Sequence, residues 1–182
     1  MIYEKQNIEG LYLIKPQEFK DSRGSTLETY RQAEMNGIVK SEINFVQYNL
    51  SKSSGNVIRG MHYQSPKAAQ GKLVQVIEGE IFDVAIDLRK SSKTFGKWTG
   101  VTLSEKNNHL FWIPEGFAHG FCIVSKMAKV FYHLTNYYNP EEERCIQWND
   151  EELSIDWPLQ SNPLVSDKDM KGKKFKDSEY FE

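Results

Sequence analysis

The run Arg59-Gly60-Met61-His62-Tyr63-Gln64, with Gln70-Gly71-Lys72 just beyond it, places a guanidinium, an imidazole and an ammonium within fourteen residues. An imidazole has a reference pKa of about 6.5 and exchanges protons near neutrality. An ammonium beside it steadies the charge that appears on oxygen when a carbon next to a carbonyl loses a proton. A guanidinium grips phosphate with two parallel hydrogen bonds. Base, oxyanion holder and phosphate anchor together point to carbanion chemistry on a phosphorylated or nucleotide-linked substrate. Taken singly, each of these residues is also what a solvated strand end presents.

Short strands must hold these groups. Phe82 to Leu88 alternates strictly, with Phe82, Val84, Ile86 and Leu88 on one face and Asp83, Ala85 and Asp87 on the other. Lys72 to Ile77 precedes it across Glu78-Gly79-Glu80, which reads as a hairpin. Further strands are expected over 11–16, 26–30, 45–51, 98–103, 109–113, 120–124 and 129–137. Helical signals are short and peripheral, at 31–36 and near 166–170. Many strands separated by scattered glycines and prolines predict an all-β sandwich or closed barrel. No βαβ alternation and no glycine-rich phosphate loop is present, so a parallel nucleotide-binding sheet is not expected.

The chain has 182 residues, enough for one domain with a substantial core. A net charge of -2 and a pI near 6.1 give no reason to expect nucleic acid or a membrane surface as partner. The broken basic run Lys171, Lys173, Lys174, Lys176 reads as a solvated segment. No apolar stretch approaches a bilayer span, and residues 1–5 carry no signal-peptide core. Two cysteines are too few for a disulfide framework. Cys122 reads as a buried apolar thiol, and Cys145 suggests no role. A soluble cytoplasmic protein is the expectation.

Pro114-Glu115-Gly116-Phe117-Ala118-His119 has the form P-x-G-x-x-H and resembles the second motif of the cupin superfamily, a double-sheet jelly roll. Cupins often hold a metal with H-x-H, a later glutamate and this last histidine. Here the first element reads His62-Tyr63-Gln64, and no glutamate follows at the needed spacing. A divalent ion needs at least three good ligands, and only His62 and His119 qualify, so no metal is expected.

The ordered set of motifs goes further. Arg59 to Gln64, Ala69 to Val74, Gly79 to Arg89, Trp112 to Phe121, Thr135 to Tyr138, Ile155 to Pro158 and Leu164 to Asp169 resemble the dTDP-4-dehydrorhamnose 3,5-epimerase family. The resemblance runs from about Gly10 to Asp169. It implies a single cupin-type jelly-roll domain over 1–182, with an N-terminal extension in a homodimer contact and a short C-terminal segment. It implies an isomerase that acts on a nucleotide sugar without cofactor.

By the same resemblance, His62 is the catalytic base, oriented by Asp169. Lys72 steadies the enolate oxygen, and Tyr132 is the acid on the opposite ring face. Tyr138 is placed to stack on thymine. Arg23, Glu28, Gln47, Asn49, Arg59, His119, Glu143 and Lys168 fall where the family binds the nucleotide sugar, some of them reaching across from the partner subunit. From the residues alone, Asp83 is a rival orienter for His62, and Tyr132 reads as strand packing. The chain departs from the family after Asp21-Ser22-Arg23-Gly24, where Ser25-Thr26 replaces the usual aromatics. Inversion at one carbon only, a keto-group shift, a non-catalytic sugar-nucleotide binder and a metal-dependent oxygenase are the alternatives.

Overall fold

A computed structural model describes residues 1–182. Thirteen strands run in chain order: β1 (Ile2–Lys5), β2 (Tyr12–Lys15), β3 (Glu18–Asp21), β4 (Gly24–Leu27), β5 (Gln47–Ser54), β6 (Ile58–Gln64), β7 (Lys72–Glu78), β8 (Glu80–Asp87), β9 (Trp98–Ser104), β10 (Leu110–Ile113), β11 (Phe117–Ile123), β12 (Met127–Leu134) and β13 (Glu143–Cys145). Two short helices, α1 (Gln32–Val39) and α2 (Asp167–Met170), lie outside the sheets. No helix is long and apolar enough to cross a membrane.

One sheet has six strands in the order β1-β2-β10-β7-β12-β5, and a second has five in the order β13-β6-β11-β8-β9. Every pairing within them is antiparallel. The two sheets form the all-β jelly roll, closed over a core of Val74, Val76, Phe111, Ile113, Ala128 and Val130 from one side and Ile81, Ala85, Val101, Leu103, Phe117, Phe121 and Ile123 from the other. β3 and β4 form a separate two-stranded hairpin in place of the single strand expected over 26–30.

The sequence reading needs correction at Glu78-Gly79-Glu80. β7 and β8 are not hairpin partners but belong to different sheets. Gly79 turns with φ +83°, and the chain crosses there from one layer to the other. Alternation in β8 has a related explanation. Val84, Ile86 and Leu88 are covered by Ile146, Leu153, Trp157 and Phe175 of the C-terminal third, while Ile81 and Ala85 face the inter-sheet core. Both faces of β8 are buried, and Asp83 and Asp87 are fully buried with them. The lysines at 171, 173, 174 and 176 are exposed as expected, although Phe175 among them is buried.

Candidate active site

A pocket of about 260 Å³ opens where the inter-sheet core runs out. On β12, Ala128 and Val130 belong to the core, and the same face continues to Tyr132 and Leu134. On β7, Val76 and Val74 belong to the core, and the same face ends at Lys72. The five-stranded sheet contributes Arg59, His62 and His119 from across the gap. Imidazole and phenol therefore enter one pocket from opposite walls.

Strict alternation would put Arg59 and His62 on opposite faces of β6. They share the pocket because the strand carries an extra residue. His119 of β11 pairs with His62, but Phe121, two residues on, pairs with Arg59, three residues back. Bulges of this kind re-aim side chains beside functional sites. Gly60 sits in the bulge with φ +122°, and a Cβ there would lie 2.5 Å from Gly120 Cα. Only glycine lets the two strands approach so closely.

The bulge also frees the Gly60 N–H, which donates to Asp169 Oδ2 at 3.1 Å. Asp169 Oδ1 in turn accepts from His62 Nε2 at 2.6 Å. Asp169 is buried and held at the start of α2, where the Ser166 hydroxyl accepts from its backbone N–H at 3.1 Å. Burial alone would raise its pKa, but the hydrogen bond and charge of His62 and the Gly60 N–H outweigh that and hold it low. An ionised carboxylate only accepts, so the proton of the neutral imidazole stays on Nε2 and Nδ1 is left bare.

The rival orienter, Asp83, is occupied elsewhere. Its oxygens accept from His119 Nε2 at 2.9 and 3.0 Å in a buried second pair. Burial pushes His119 below the ordinary histidine value and Asp83 above the ordinary carboxylate value. Lys72 reaches across the pocket floor, donating from Nζ to the His62 carbonyl at 3.2 Å. Desolvation lowers its pKa to about 8, opposed by the charges of Asp83 and Glu143. Tyr132 donates to or accepts from Ser51 at 3.1 Å, and burial pushes its phenol well above the usual value. It stays protonated across the physiological range.

Five of the expected binding residues form one connected rim. Gln47 Nε2 donates to Asn49 Oδ1 at 3.1 Å, and Gln47 Oε1 accepts from the Tyr138 N–H at 2.9 Å. The Tyr138 hydroxyl donates to Glu143 Oε2 at 2.8 Å, and Lys168 Nζ donates to Glu143 Oε1 at 2.7 Å. Partial burial would raise Glu143, but these two donors keep its pKa low. The Tyr138 ring is 47% exposed and free to stack. Arg59 binds Ser53 Oγ through Nε at 2.9 Å.

Two expected residues lie elsewhere. Arg23 pairs with Asp21 at 2.6 Å and Glu28 with Arg31 at 2.7 Å, both on exposed surface and neither lining this pocket. Ser25 and Thr26, the departures from the family, lie on exposed β4. Sequence reasoning missed Ser51, Gln70 and Phe121, which line the pocket, and Cys145, which pairs with His62 across β13 and β6. Ser51 carried a signal, since it shares the period of Gln47 and Asn49 on one strand. The ligand atoms of His62, Cys145 and Asp169 lie together, so His62 and His119 are not the only candidates for a cation.

The sequence pattern described as dTDP-4-dehydrorhamnose 3,5-epimerase matches residues 5–177. The chain is 50% identical over 177 residues to the dTDP-4-dehydrorhamnose 3,5-epimerase of Shigella flexneri, covering 97% of each chain. Its fold is similar to that enzyme's crystal structure from Elizabethkingia anophelis NUHP1, with a TM-score of 0.96, 42% identity and 99% of each chain covered. It is also similar to the dTDP-6-deoxy-D-glucose-3,5-epimerase of Legionella pneumophila Philadelphia 1, solved in complex with dTDP-4-keto-L-rhamnose. There the TM-score is 0.91 and the identity 44%, over 95% of this chain and 92% of that one.

Proposed function

Because the chain belongs to the dTDP-4-dehydrorhamnose 3,5-epimerase family, we propose that this pocket inverts C3 and C5 of dTDP-4-dehydro-6-deoxy-D-glucose, giving dTDP-4-dehydro-L-rhamnose. The single observation that carries the residue roles is the opposition of the His62–Asp169 pair on one wall to Tyr132 on the other, with Lys72 between them.

The C4 ketone of the sugar acidifies the hydrogens on C3 and C5. His62 Nδ1 takes one of them, and Asp169 stabilises the imidazolium that forms. The enolate oxygen lies against the Lys72 ammonium, a donor aimed at charge that develops only during reaction; losing such a donor typically costs about 10²–10³ in rate. Tyr132 returns a proton from the other face, and the centre inverts. General acid–base groups contribute roughly 10²–10⁴ each. The same cycle at the second carbon completes the reaction. The ketone itself is the electron sink, so this chemistry asks for no redox cofactor or metal.

Arg59 and Lys168 supply positive charge for the diphosphate, and Tyr138 offers its exposed ring to thymine. The rim of Gln47, Asn49, Tyr138 and Glu143 is already tied together before substrate arrives, so little ordering entropy is lost on binding. Incubation with the 4-keto sugar nucleotide in deuterated water tests the reading. Deuterium should enter at both C3 and C5; incorporation at one carbon alone rejects double inversion.

A cytoplasmic homodimer is part of the same proposal. Tyr48 and Leu50 on the edge strand β5 are 56% and 62% exposed, and Tyr48 stacks on Phe131 of β12. His133, on the same sheet face, keeps a buried Nε2 with no hydrogen-bond partner within the chain. A second copy seated there covers the apolar face. The β3–β4 hairpin, with Glu28 just beyond its end, then carries Arg23 and Glu28 toward the neighbour's pocket. Sedimentation equilibrium at twice the 21.2 kDa chain mass supports this assembly, and a monomer at micromolar concentration rejects it.

A further inference from the structure

Cys145 stands beside the base. It is the register partner of His62 across β13 and β6, so the two side chains project side by side from one sheet face. Its thiol makes only a 3.6 Å contact with the Ile146 carbonyl. Ligand atoms of His62, Cys145 and Asp169 all lie within 4.8 Å of one another.

We propose that His62, Cys145 and Asp169 form a binding site for a thiophilic divalent cation, Zn²⁺. Imidazole, thiolate and carboxylate are the three donor types that zinc takes, at bond lengths of about 2.0–2.3 Å. Those lengths put donor atoms about 3–4 Å apart around a tetrahedral ion, so the existing cluster needs only small side-chain shifts. Asp169 is positioned from outside the cluster by the Gly60 N–H and by Ser166 at the start of α2. Outer-shell hydrogen bonds of this kind orient metal ligands. His62 is partly exposed to the pocket, which gives the ion its entry and leaves a fourth position for water. Mg²⁺ does not fit, because it demands oxygen ligands in octahedral array.

The proton balance is definite. Zinc binds Cys145 as thiolate, and the thiol proton leaves to solvent. It binds Nε2 of a neutral imidazole, so the proton formerly on Nε2 moves to Nδ1. That is the atom which must accept the substrate's proton. Occupancy therefore silences the base, a consequence that rests on the role of His62 proposed above; the binding itself rests only on the three donors.

Calorimetry of the chelator-stripped enzyme with ZnCl₂, in buffers of different ionisation enthalpy, tests the site. We expect one ion bound per chain, with one proton released. In Cys145→Ser the apparent affinity should fall at least about tenfold, a loss comparable to removing a ligand's support. Zinc should also stop turnover reversibly, with activity restored by EDTA, while MgCl₂ has no effect. Cys145→Ser should turn over normally and need about tenfold more zinc for the same inhibition. Unchanged zinc affinity in Cys145→Ser, binding without proton release, or equal inhibition by magnesium would each overturn the proposal. Zinc bound through Cys145 with turnover intact would uphold the site and instead remove His62 from its role as base.

Discussion

Asp169→Asn exchanges one carboxylate oxygen for an amide nitrogen, at a position where both oxygens accept. One accepts from His62 Nε2 at 2.6 Å and the other from the Gly60 N–H at 3.1 Å. Asparagine has a single acceptor, so either orientation leaves one donor facing a donor. If the amide oxygen stays with Gly60, its NH₂ group faces Nε2 and drives the imidazole proton onto Nδ1, which then cannot act as a base. If the oxygen stays with His62, the buried Gly60 N–H loses its partner at about 1–3 kcal/mol, and the imidazolium loses its counter-charge. Loss of the charge-assisted bond alone, at about 1.5–3 kcal/mol, slows proton removal roughly 10–100-fold, since each factor of ten is about 1.4 kcal/mol. With the wrong tautomer added, the total reaches about 10³–10⁴, the size seen when a triad aspartate is changed to asparagine in a serine protease. Asp169→Ala removes the acceptor without supplying a donor, so it should be less damaging than asparagine. The assay is deuterium entry at C3 and C5 under single-turnover conditions, with thermal unfolding recorded alongside. An asparagine variant within about tenfold of the parent, or one faster than alanine, refutes the assigned tautomer and with it the function of Asp169.

Three other perturbations separate the remaining roles. Tyr132→Phe should still exchange substrate protons with solvent, because His62 is intact, but should fail to invert the centre; NMR of the products distinguishes exchange from epimerisation, and normal inversion excludes Tyr132 as the acid. Lys72→Met should lower kcat by about 10²–10³ with a much smaller effect on dTDP binding, since its ammonium acts on developing charge; a change in KM alone would make it a binding residue only. Gly60→Ala should destabilise the fold by at least about 2 kcal/mol, because the new methyl meets Gly120 Cα at a positive φ. In a chain of this length that is a fall in Tm of roughly 4–8 °C, and an unchanged Tm refutes the close approach of β6 and β11.

How far the sequence speaks depends on the range over which each feature is decided. Alternation announces β8 because its aspartates fall on one face and Phe82, Val84 and Ile86 on the other, although both faces are buried, whereas β12 buries only the face of Ala128, Val130 and Leu134 and leaves the other partly exposed. The motif order from Arg59 to Asp169 names the candidate site, and the pocket gathers His62, Lys72, Tyr132, His119, Tyr138 and Glu143 in one place. The layer change at Gly79 was not legible, since a crossover and a hairpin share the same glycine chemistry. Neither was the choice between Asp83 and Asp169 as orienter. Asp83 lies on β8, paired directly with the β11 strand that carries His119 and one strand removed from His62, whereas Asp169 arrives from 107 residues away. The common aim of Arg59 and His62 contradicts strict periodicity, and only the bulge against β11 accounts for it.

Asp169 belongs not to the sandwich but to a C-terminal segment that packs on its outer face through Trp157 and Phe175 and pairs with it only at isolated bridges, Val57 with Leu164, Ile146 with Lys173 and Arg89 with Phe181. The proposed base is therefore oriented by the final lap of the chain. Local opening of that segment separates Asp169 from His62 while the walls of the pocket stand. Amide exchange at Gly60, whose N–H donates to Asp169 Oδ2, reports on that opening.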